Sequence, residues 1–321
     1  MSAALDIKAV HTNVYPSIDP SHFPTALSGK VALITGGGRG IGRAIALAFA
    51  QSDVKGIALL ARSRGELEET AQLCKKEKPG LEVSVCPADA TKTAELDAAV
   101  EKAVKELGEI DILVNNAGAN RLRPFHMTPP DEWWNILEVN LHGPAHLMSR
   151  VINPMRARNS GQYIINISSR AAVMASRGMA SSYTSSKTAL TRMTACIQAE
   201  LNTDGKDRVC LFSLHPGGPK TKMNYDLVEP DVDAAYPGMH EKVRQFVDIQ
   251  EDTVELCAWT VVYLCSGRAD RLKGRYFDVE QDVAAVVASA DEVLERNKLD
   301  LKIDYAGDWT YLVAPTNQMK H

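Results

Sequence analysis

The sequence predicts an α/β protein: a doubly wound, parallel, Rossmann-like sheet of about seven strands in a single domain. Two observations carry this. Short runs rich in β-branched residues recur along the chain, and between them lie longer segments whose apolar residues return at helical spacing. Strand, helix, strand, repeated in this way, requires right-handed crossovers, which put helices on both faces of a parallel sheet. No Gly/Ser-rich or Pro-rich linker interrupts the alternation, and no repeat recurs at a fixed period, so nothing marks a second domain.

Strands are expected at 31–35, 57–61, 82–86, 111–114, 163–167, 209–213 and 275–279. The helix after the first strand is marked by Ile41, Ile45, Ala48 and Phe49, and the one before the fourth by Leu96, Ala99, Val100, Ala103 and Leu107. The longest helical pattern runs over 183–201. Trp133 and Trp134 open another helix; one of the pair is expected in the core and the other at a partly wet boundary. Residues 1–28 are loop-like and proline-bearing, and read as an arm lying on the surface or on a partner subunit. Residues 284–321 form a second extension with the composition of packed structure. An amphipathic helical stretch spans 288–297, and Asp291-Glu292-Val293-Leu294 fits a helix start.

The chain is 45% apolar and 24% charged, which excludes disordered and collagen-like architectures. Lys plus Arg number 36 against 40 Asp plus Glu, for a net charge of −4, so there is no global basic field for a nucleic-acid backbone or an anionic membrane. No apolar run approaches the ~18 residues of a membrane helix. The N-terminal residues lack the basic-then-apolar order of a secretory signal, and Gln318-Met319-Lys320-His321 matches no retention or lipidation tail. Cys74, Cys86, Cys196, Cys210, Cys257 and Cys265 form no Cys-x-x-Cys pair and read as reduced, buried thiols of a cytoplasmic protein. His126, His142, His146 and His215 show no paired spacing and read as packed or capping residues, so no metal site is expected.

The first strand runs directly into Thr35-Gly36-Gly37-Gly38-Arg39-Gly40-Ile41-Gly42 and then a helix. Glycines at such a junction permit positive φ and let backbone N–H groups approach a ligand, and the helix start adds a partial positive charge suited to a pyrophosphate. A Walker loop would need Lys and Ser/Thr after the last glycine, where Arg43 and Ala44 stand. Gly-x-Gly-x-x-Gly fits in no frame. Thr-Gly-x-x-x-Gly-x-Gly does, with Gly36, Gly40 and Gly42, and this pattern, with Arg39 and Ile41 inside it, resembles the cofactor loop of the short-chain dehydrogenase/reductase family.

Further motifs follow in that family's order. Asp89, after the third strand, matches the acid used at the adenine ring. Asn115-Asn116-Ala117-Gly118 follows the fourth strand. Asn140 matches the family's catalytic asparagine, Ser168-Ser169 ends the fifth strand, and Tyr183 and Lys187 form the Tyr-x-x-x-Lys pair. Pro216, Gly217 and Thr221 resemble the loop over the nicotinamide. The resemblance covers roughly residues 29–280. It implies a catalytic, cofactor-binding domain over 29–283 and, since subunit contacts in the family usually use the long helices around the catalytic tyrosine, a homodimer or homotetramer.

Charge argues for the cofactor. An acid about 20 residues past the glycines would bond a free ribose 2′-hydroxyl. The second strand instead ends Leu60-Ala61-Arg62-Ser63, and Arg62 and Arg39 offer guanidinium groups to a 2′-phosphate, so NADP(H) is expected over NAD(H).

Tyr183 and Lys187, four apart, share a helix face. A phenol titrates near ~10, and a nearby ammonium favours its ionised form; reaching about 7 takes roughly 4 kcal/mol, within reach of one close cation plus the cofactor's charge in a partly dry cleft. The resemblance gives Lys187 the nicotinamide ribose, Ser169 the polarisation of the substrate oxygen and Asn140 a water-linked proton path. The family commonly has its serine 13 positions before the tyrosine; here Ser169 stands 14 before Tyr183, which implies one extra residue in the 171–182 loop and leaves Ser168 as the lesser candidate. The expected reaction is hydride transfer between NADPH and a carbonyl, or the reverse with an alcohol.

The long connection 219–250 is where the family has its substrate lid. With Met223, Tyr225, Leu227, Tyr236, Met239 and Phe246, and Met174 and Met179 on the opposite wall, it suits a medium-sized apolar or aromatic ketone or aldehyde of secondary metabolism or detoxification. Half of these side chains could equally pack the lid onto the core. Arg121 and Arg123 stand on a solvated loop or meet an anionic substrate. The same fold also serves non-catalytic NADP-binding sensors or scaffolds, and dehydratases or cyclases; the complete Asn140, Ser169, Tyr183, Lys187 set argues against a mere binding module.

Overall fold

A computed structural model describes residues 10–174 and 178–302. The terminal tetrapeptide 318–321 and part of the loop expected to carry the extra residue lie outside the described residues. All seven expected strands form, within a residue or two of their expected bounds: Val31–Thr35 (β1), Gly56–Ala61 (β2), Glu82–Pro87 (β3), Ile112–Asn115 (β4), Gln162–Ile167 (β5), Val209–His215 (β6) and Tyr276–Asp278 (β7). They build one sheet in the order β3-β2-β1-β4-β5-β6-β7, parallel at every junction. The order reverses between β1 and β4. In open sheets of this kind the cleft above such a reversal receives ligands.

Between the strands run Gly40–Gln51 (α1), Arg64–Glu77 (α2), Thr93–Leu107 (α3), Pro130–Leu137 (α4), Gly143–Arg158 (α5) and Ser181–Thr203 (α6). After β6 come three short helices, Lys222–Tyr225 (α7), Pro230–Ala235 (α8) and Met239–Asp248 (α9), then Val254–Cys265 (α10). Val283–Ala288 (α11) and Ala290–Glu295 (α12) follow β7. β1, β5 and β6 are buried along their whole length, because helices cover both faces. The alternation of side chains is visible in β1: Ala32 and Ile34 join a core with α1, α2 and α10, whereas Val31 and Leu33 join one with α3, α5 and α6.

The N-terminal extension differs from expectation. Its described part, residues 10–28, is not an arm on the surface: Tyr15, Ile18, Phe23 and Leu27 are buried in the α1/α10 core. The cause is α10, whose residues 256–265 are all buried, so that it is apolar all round and needs a cover on its outer side. Phe23 supplies much of that cover, with its ring 6.3 Å from Trp259 and 6.1 Å from Tyr263, and the Arg268 guanidinium lies 4.4 Å over it. The Tyr15 hydroxyl donates to the Gln281 carbonyl (3.0 Å) and accepts from the Val283 N–H (2.9 Å). The stretch expected at 288–297 holds the helix Ala290–Glu295, and a further short helix, Val283–Ala288, precedes it across a break at Ser289; Asp282 caps the earlier one, and Val283, Val286, Ala290 and Val293 reach the same core.

Trp134 is the exposed member of its pair, and the Trp133 indole donates to the Ser181 hydroxyl (3.0 Å). Five cysteines are buried as expected; Cys196 is not, because its place on α6 falls on the stripe that faces outward. No helix among the described residues is long and apolar enough to cross a membrane.

Phe23→Ala should cost about 3–5 kcal/mol, the range for deleting a buried aromatic ring, in reversible denaturant unfolding. A shift below about 0.5 kcal/mol would return residues 10–28 to the role of a surface arm.

Candidate active site

Where β1 and β4 end, side-chain hydrogen bonds tie the two turns together. The Thr35 hydroxyl accepts from the Asn116 and Ala117 N–H groups (both 2.9 Å) and donates to the Val114 carbonyl (3.3 Å). The Asn116 amide returns a hydrogen bond to the Thr35 carbonyl (2.9 Å). This crossing explains two glycines. A Cβ on Gly36 (φ +65°) would lie 2.8 Å from the Asn116 Nδ2, and one on Gly42 would run into the Gly36 carbonyl. The Gly38 carbonyl accepts from Arg43 Nη2 (2.7 Å) and the Thr70 hydroxyl (3.0 Å), which moors the turn to α2.

The turn opens onto a cleft of about 1970 Å³ along the C-terminal ends of the strands. Gly36, Arg39, Gly40, Ile41, Arg62, Asp89, Asn116, Ala117 and Gly118 line one part; Ser169, Tyr183, Lys187, Pro216, Gly217 and Thr221 line the rest. Of the catalytic and cofactor-binding residues expected from the sequence, only Gly42 and Asn140 are not in the wall. No side chain caps the start of α1, so its first N–H groups lack a side-chain acceptor where the helix meets the cleft.

At the β2–β3 end, no acid follows β2. Arg62 makes no hydrogen bond or ion pair among the described residues, while Arg39 pairs with Glu66 (3.3 Å). Sequence reasoning missed Glu66, although Ser63, whose hydroxyl accepts from the Glu66 N–H, makes Ser63-x-x-Glu66 a helix-start signature. The Thr91 N–H and hydroxyl (both 2.9 Å), with lesser help from Arg62 and Lys92, hold the Asp89 carboxyl below the usual range.

At the other end, the helix carrying Asn140 is widened by a π turn, Glu138–His142. Asn140 is fully buried. Its Oδ1 accepts from the Ala119 N–H (2.8 Å), and its Nδ2 donates to the Ala119 carbonyl (2.8 Å) and the Ser186 hydroxyl (3.1 Å). Lys187 is buried too, with Nζ donating to the Ile167 carbonyl (2.7 Å), and burial brings its pKa down to about 8. The two serines separate: Ser168 turns into the interior against the Thr191 hydroxyl (2.6 Å), whereas the Ser169 hydroxyl accepts from the Ala171 N–H (3.1 Å) and is near enough to the Tyr183 phenol to favour its ionised form.

Burial pushes the phenol up, and only the Ser169 hydroxyl opposes it. This corrects the expectation that the ammonium lowers the phenol. Lys187 Nζ sits 5.9 Å from the Tyr183 ring centroid and is committed to Ile167, so desolvation wins. His215 is a packed histidine, its Nδ1 accepting from the Arg170 N–H (3.2 Å); burial, then the Arg170 charge, drive its pKa down to about 3.

Arg121 remains partly exposed, as a solvated loop residue would, and Arg123 is mostly covered; both are paired with acids. Arg121 pairs with Glu229 (2.9 Å), and Arg123 grips Asp231 with both Nη atoms, fastening α8 to the loop after β4. Leu227, Val228 and Val232 pack beneath this clasp against Leu122 and Met127. Met174, Met223, Leu227, Met239, Val243 and Phe246 line the cleft, and Met223, Phe246 and Met174 remain largely exposed there. Tyr225, Tyr236 and Met179 are absent from the lining; the Tyr225 hydroxyl instead donates to Asp248 (2.9 Å).

Comparison with known proteins agrees with this arrangement. A family model described as short chain dehydrogenase matches residues 30–231. The chain is 33% identical over 305 residues to the short chain dehydrogenase pigC of Monascus ruber, covering 92% of this chain and 93% of that one. It is 30% identical over 260 residues to the 7alpha-hydroxysteroid dehydrogenase of Escherichia coli K12, covering 79% and 93%. Among solved structures, a 3-ketoacyl-(acyl-carrier-protein) reductase from Brucella melitensis complexed with NADH aligns with a TM-score of 0.67 at 27% identity, over 80% of this chain and 99% of that one. The chain therefore belongs to the short chain dehydrogenase family, oxidoreductases that bind a nicotinamide cofactor.

Proposed function

We propose that the protein transfers a hydride between NADP(H) and a carbonyl or alcohol, acting on a medium-sized apolar or aromatic ketone or aldehyde. The observation that carries this is the meeting of Ser169, Tyr183 and Lys187 at one end of a cleft whose other end holds an arginine where an acid would select NAD. The donor set fits a dinucleotide. The uncapped start of α1 and the bare glycines suit a pyrophosphate, Asp89 the adenine, Arg62 a 2′-phosphate, and Lys187 the nicotinamide ribose. The nicotinamide, when bound, supplies or accepts the hydride.

The chain's own groups hold the substrate oxygen and move its proton. The Ser169 hydroxyl can turn from the phenol to the substrate oxygen, and Tyr183 donates the proton that the forming alkoxide needs. Because burial raises the phenol, that proton is in place at neutral pH. Asn140 holds Ala119 and Ser186 behind this end, so the loop after β4 cannot shift. The Met and Phe side chains of α7–α9, held over the cleft by the Arg121 and Arg123 pairs, favour an apolar substrate.

The same reading keeps 29–283 as the catalytic domain with 219–250 as its lid, the cytoplasm as its compartment, and a homodimer or homotetramer as its assembly. Phe125 and Trp134, 71% and 59% exposed, offer the kind of apolar surface that a partner subunit covers.

NADPH consumption across a panel of ketones, aldehydes and quinones tests the reading. Tyr183→Phe should lower turnover about 10²–10⁴-fold, Ser169→Ala should also abolish it, and Ser168→Ala should retain most of it. Reduction should fall as pH rises through about 8, since the Lys187 charge is present below that pH and lost above it. Dinucleotide binding without turnover on any compound would favour the sensor or non-redox reading instead.

Arg62→Asp should weaken NADPH by about 10–100-fold, the loss of a charge-assisted phosphate contact, and leave NADH nearly unchanged. Equal losses for both in a fluorescence titration would refute the assigned cofactor preference.

A further inference from the structure

Behind the turn Pro216-Gly217-Gly218 stands a charged group from the ends of β5 and β7 and the approach to α10. Asp252 Oδ2 accepts from the Gly218 N–H at 2.6 Å. A Cβ on Gly217 (φ +78°) would lie 2.8 Å from that same oxygen, and one on Gly218 would lie 2.8 Å from Gln250 Oε1. The turn thus lies close on residues 250 and 252, and the positive φ of Gly217 favours glycine there.

A second charged group lies beside Asp252. Burial pushes its carboxyl up; the Gly218 N–H opposes this, and the neighbouring Glu280 carboxylate adds to it. Glu280 pairs with Arg170 (2.8 Å), and Arg170 holds Asp278 with Nε (2.6 Å) and Nη2 (3.0 Å). The N-terminal extension closes the group from outside: the His11 N–H donates to the Glu280 carbonyl (2.9 Å) and the Thr253 N–H to the Thr12 carbonyl (2.8 Å). Ligand atoms of His215, Asp278 and Glu280 lie within 4.8 Å of one another, a spacing a metal ion would accept, but Arg170 engages all three residues.

We propose that Asp252 is the positioning residue for the stretch 216–221, holding it over the β5–β6 end of the cleft. This rests on the reading of the cleft as a dinucleotide site. The stretch spans from the end of β6 back toward the glycine turn, where a Cβ on Gly40 would be 3.6 Å from the Thr221 methyl. Asp252 is therefore far along the sheet from Arg62 and Asp89, which follow β2 and β3. Freeing Gly218 loosens the nicotinamide end of the cleft and leaves the adenosine end as it was.

Full-length wild type, Asp252→Ala and Asp252→Asn would be titrated with NADPH, NADH and adenosine 2′,5′-bisphosphate, following intrinsic fluorescence, and their amide hydrogen exchange measured without ligand. Asp252→Ala should weaken both dinucleotides about tenfold, as expected for the loss of one charge-assisted hydrogen bond, with the bisphosphate unchanged within about twofold. Amides 217–221 should exchange faster in that variant alone. Asp252→Asn, which keeps an oxygen for the Gly218 N–H, should recover most of the affinity. Equal losses for dinucleotides and bisphosphate would make Asp252 a general structural residue and overturn the proposal. So would unchanged affinity and exchange in Asp252→Ala. If wild type bound the bisphosphate and neither dinucleotide, the cofactor reading itself would fall, whatever the exchange data showed for the turn.

Discussion

One hydroxyl, that of Thr35, receives two backbone N–H groups from the turn after β4, and the amide of Asn116 reaches back across the same gap. β1 and β4 are the neighbours at which the strand order reverses, so this exchange ties together the two turns that flank the reversal. The segment 116–119 is then held at both ends from behind, by Thr35 at Asn116 and Ala117 and by Asn140 at Ala119. Its backbone polar groups are satisfied on the inner side, which leaves the outer side free for a ligand. The glycine turn owes its composition to the same crossing, since side chains at 36 or 42 would occupy the space that the Asn116 amide needs.

The chemistry at the far end depends on burial more than on pairing. Lys187 and Tyr183 lie one helical turn apart, yet the ammonium is bonded to a strand carbonyl and no carboxylate is among the causes that shift it. Desolvation moves the two groups apart, the phenol upward and the ammonium downward to about 8, and at neutral pH both carry their protons. A tyrosine in that state is an acid ready for a forming alkoxide. Of the arginines lining the cleft, Arg39, Arg121, Arg123 and Arg170 each hold a carboxylate, and Arg62 holds none among the described residues.

Much of this was legible in the sequence, for identifiable reasons. Strands buried on both faces leave unmistakable apolar runs, and the motifs at their ends are local, so the glycine turn, the Asn115–Gly118 turn and the Tyr183/Lys187 pair could be placed by number. What escaped notice is non-local. Arg170 meets Asp278 across 108 residues, and Arg123 meets Asp231 across the same separation. No spacing rule announces such pairs. Tyr15, Ile18, Phe23 and Leu27 were hidden for a different reason: they lie among prolines without helical or strand period, and only the all-round apolarity of α10 called for their cover. The rise of the phenol was missed because proximity to a lysine was visible and desolvation was not.

The most direct test of the account is calorimetric titration of NADPH into wild type and Thr35→Val, a near-isosteric change that removes the acceptor of both N–H groups. Wild type should bind one NADPH per chain. The variant should keep its far-UV circular dichroism and lose about tenfold or more in affinity, as expected when two backbone donors are left without a partner. Equal affinity in the two proteins, or no binding to wild type, would contradict the claim that the β1–β4 crossing frames a dinucleotide site.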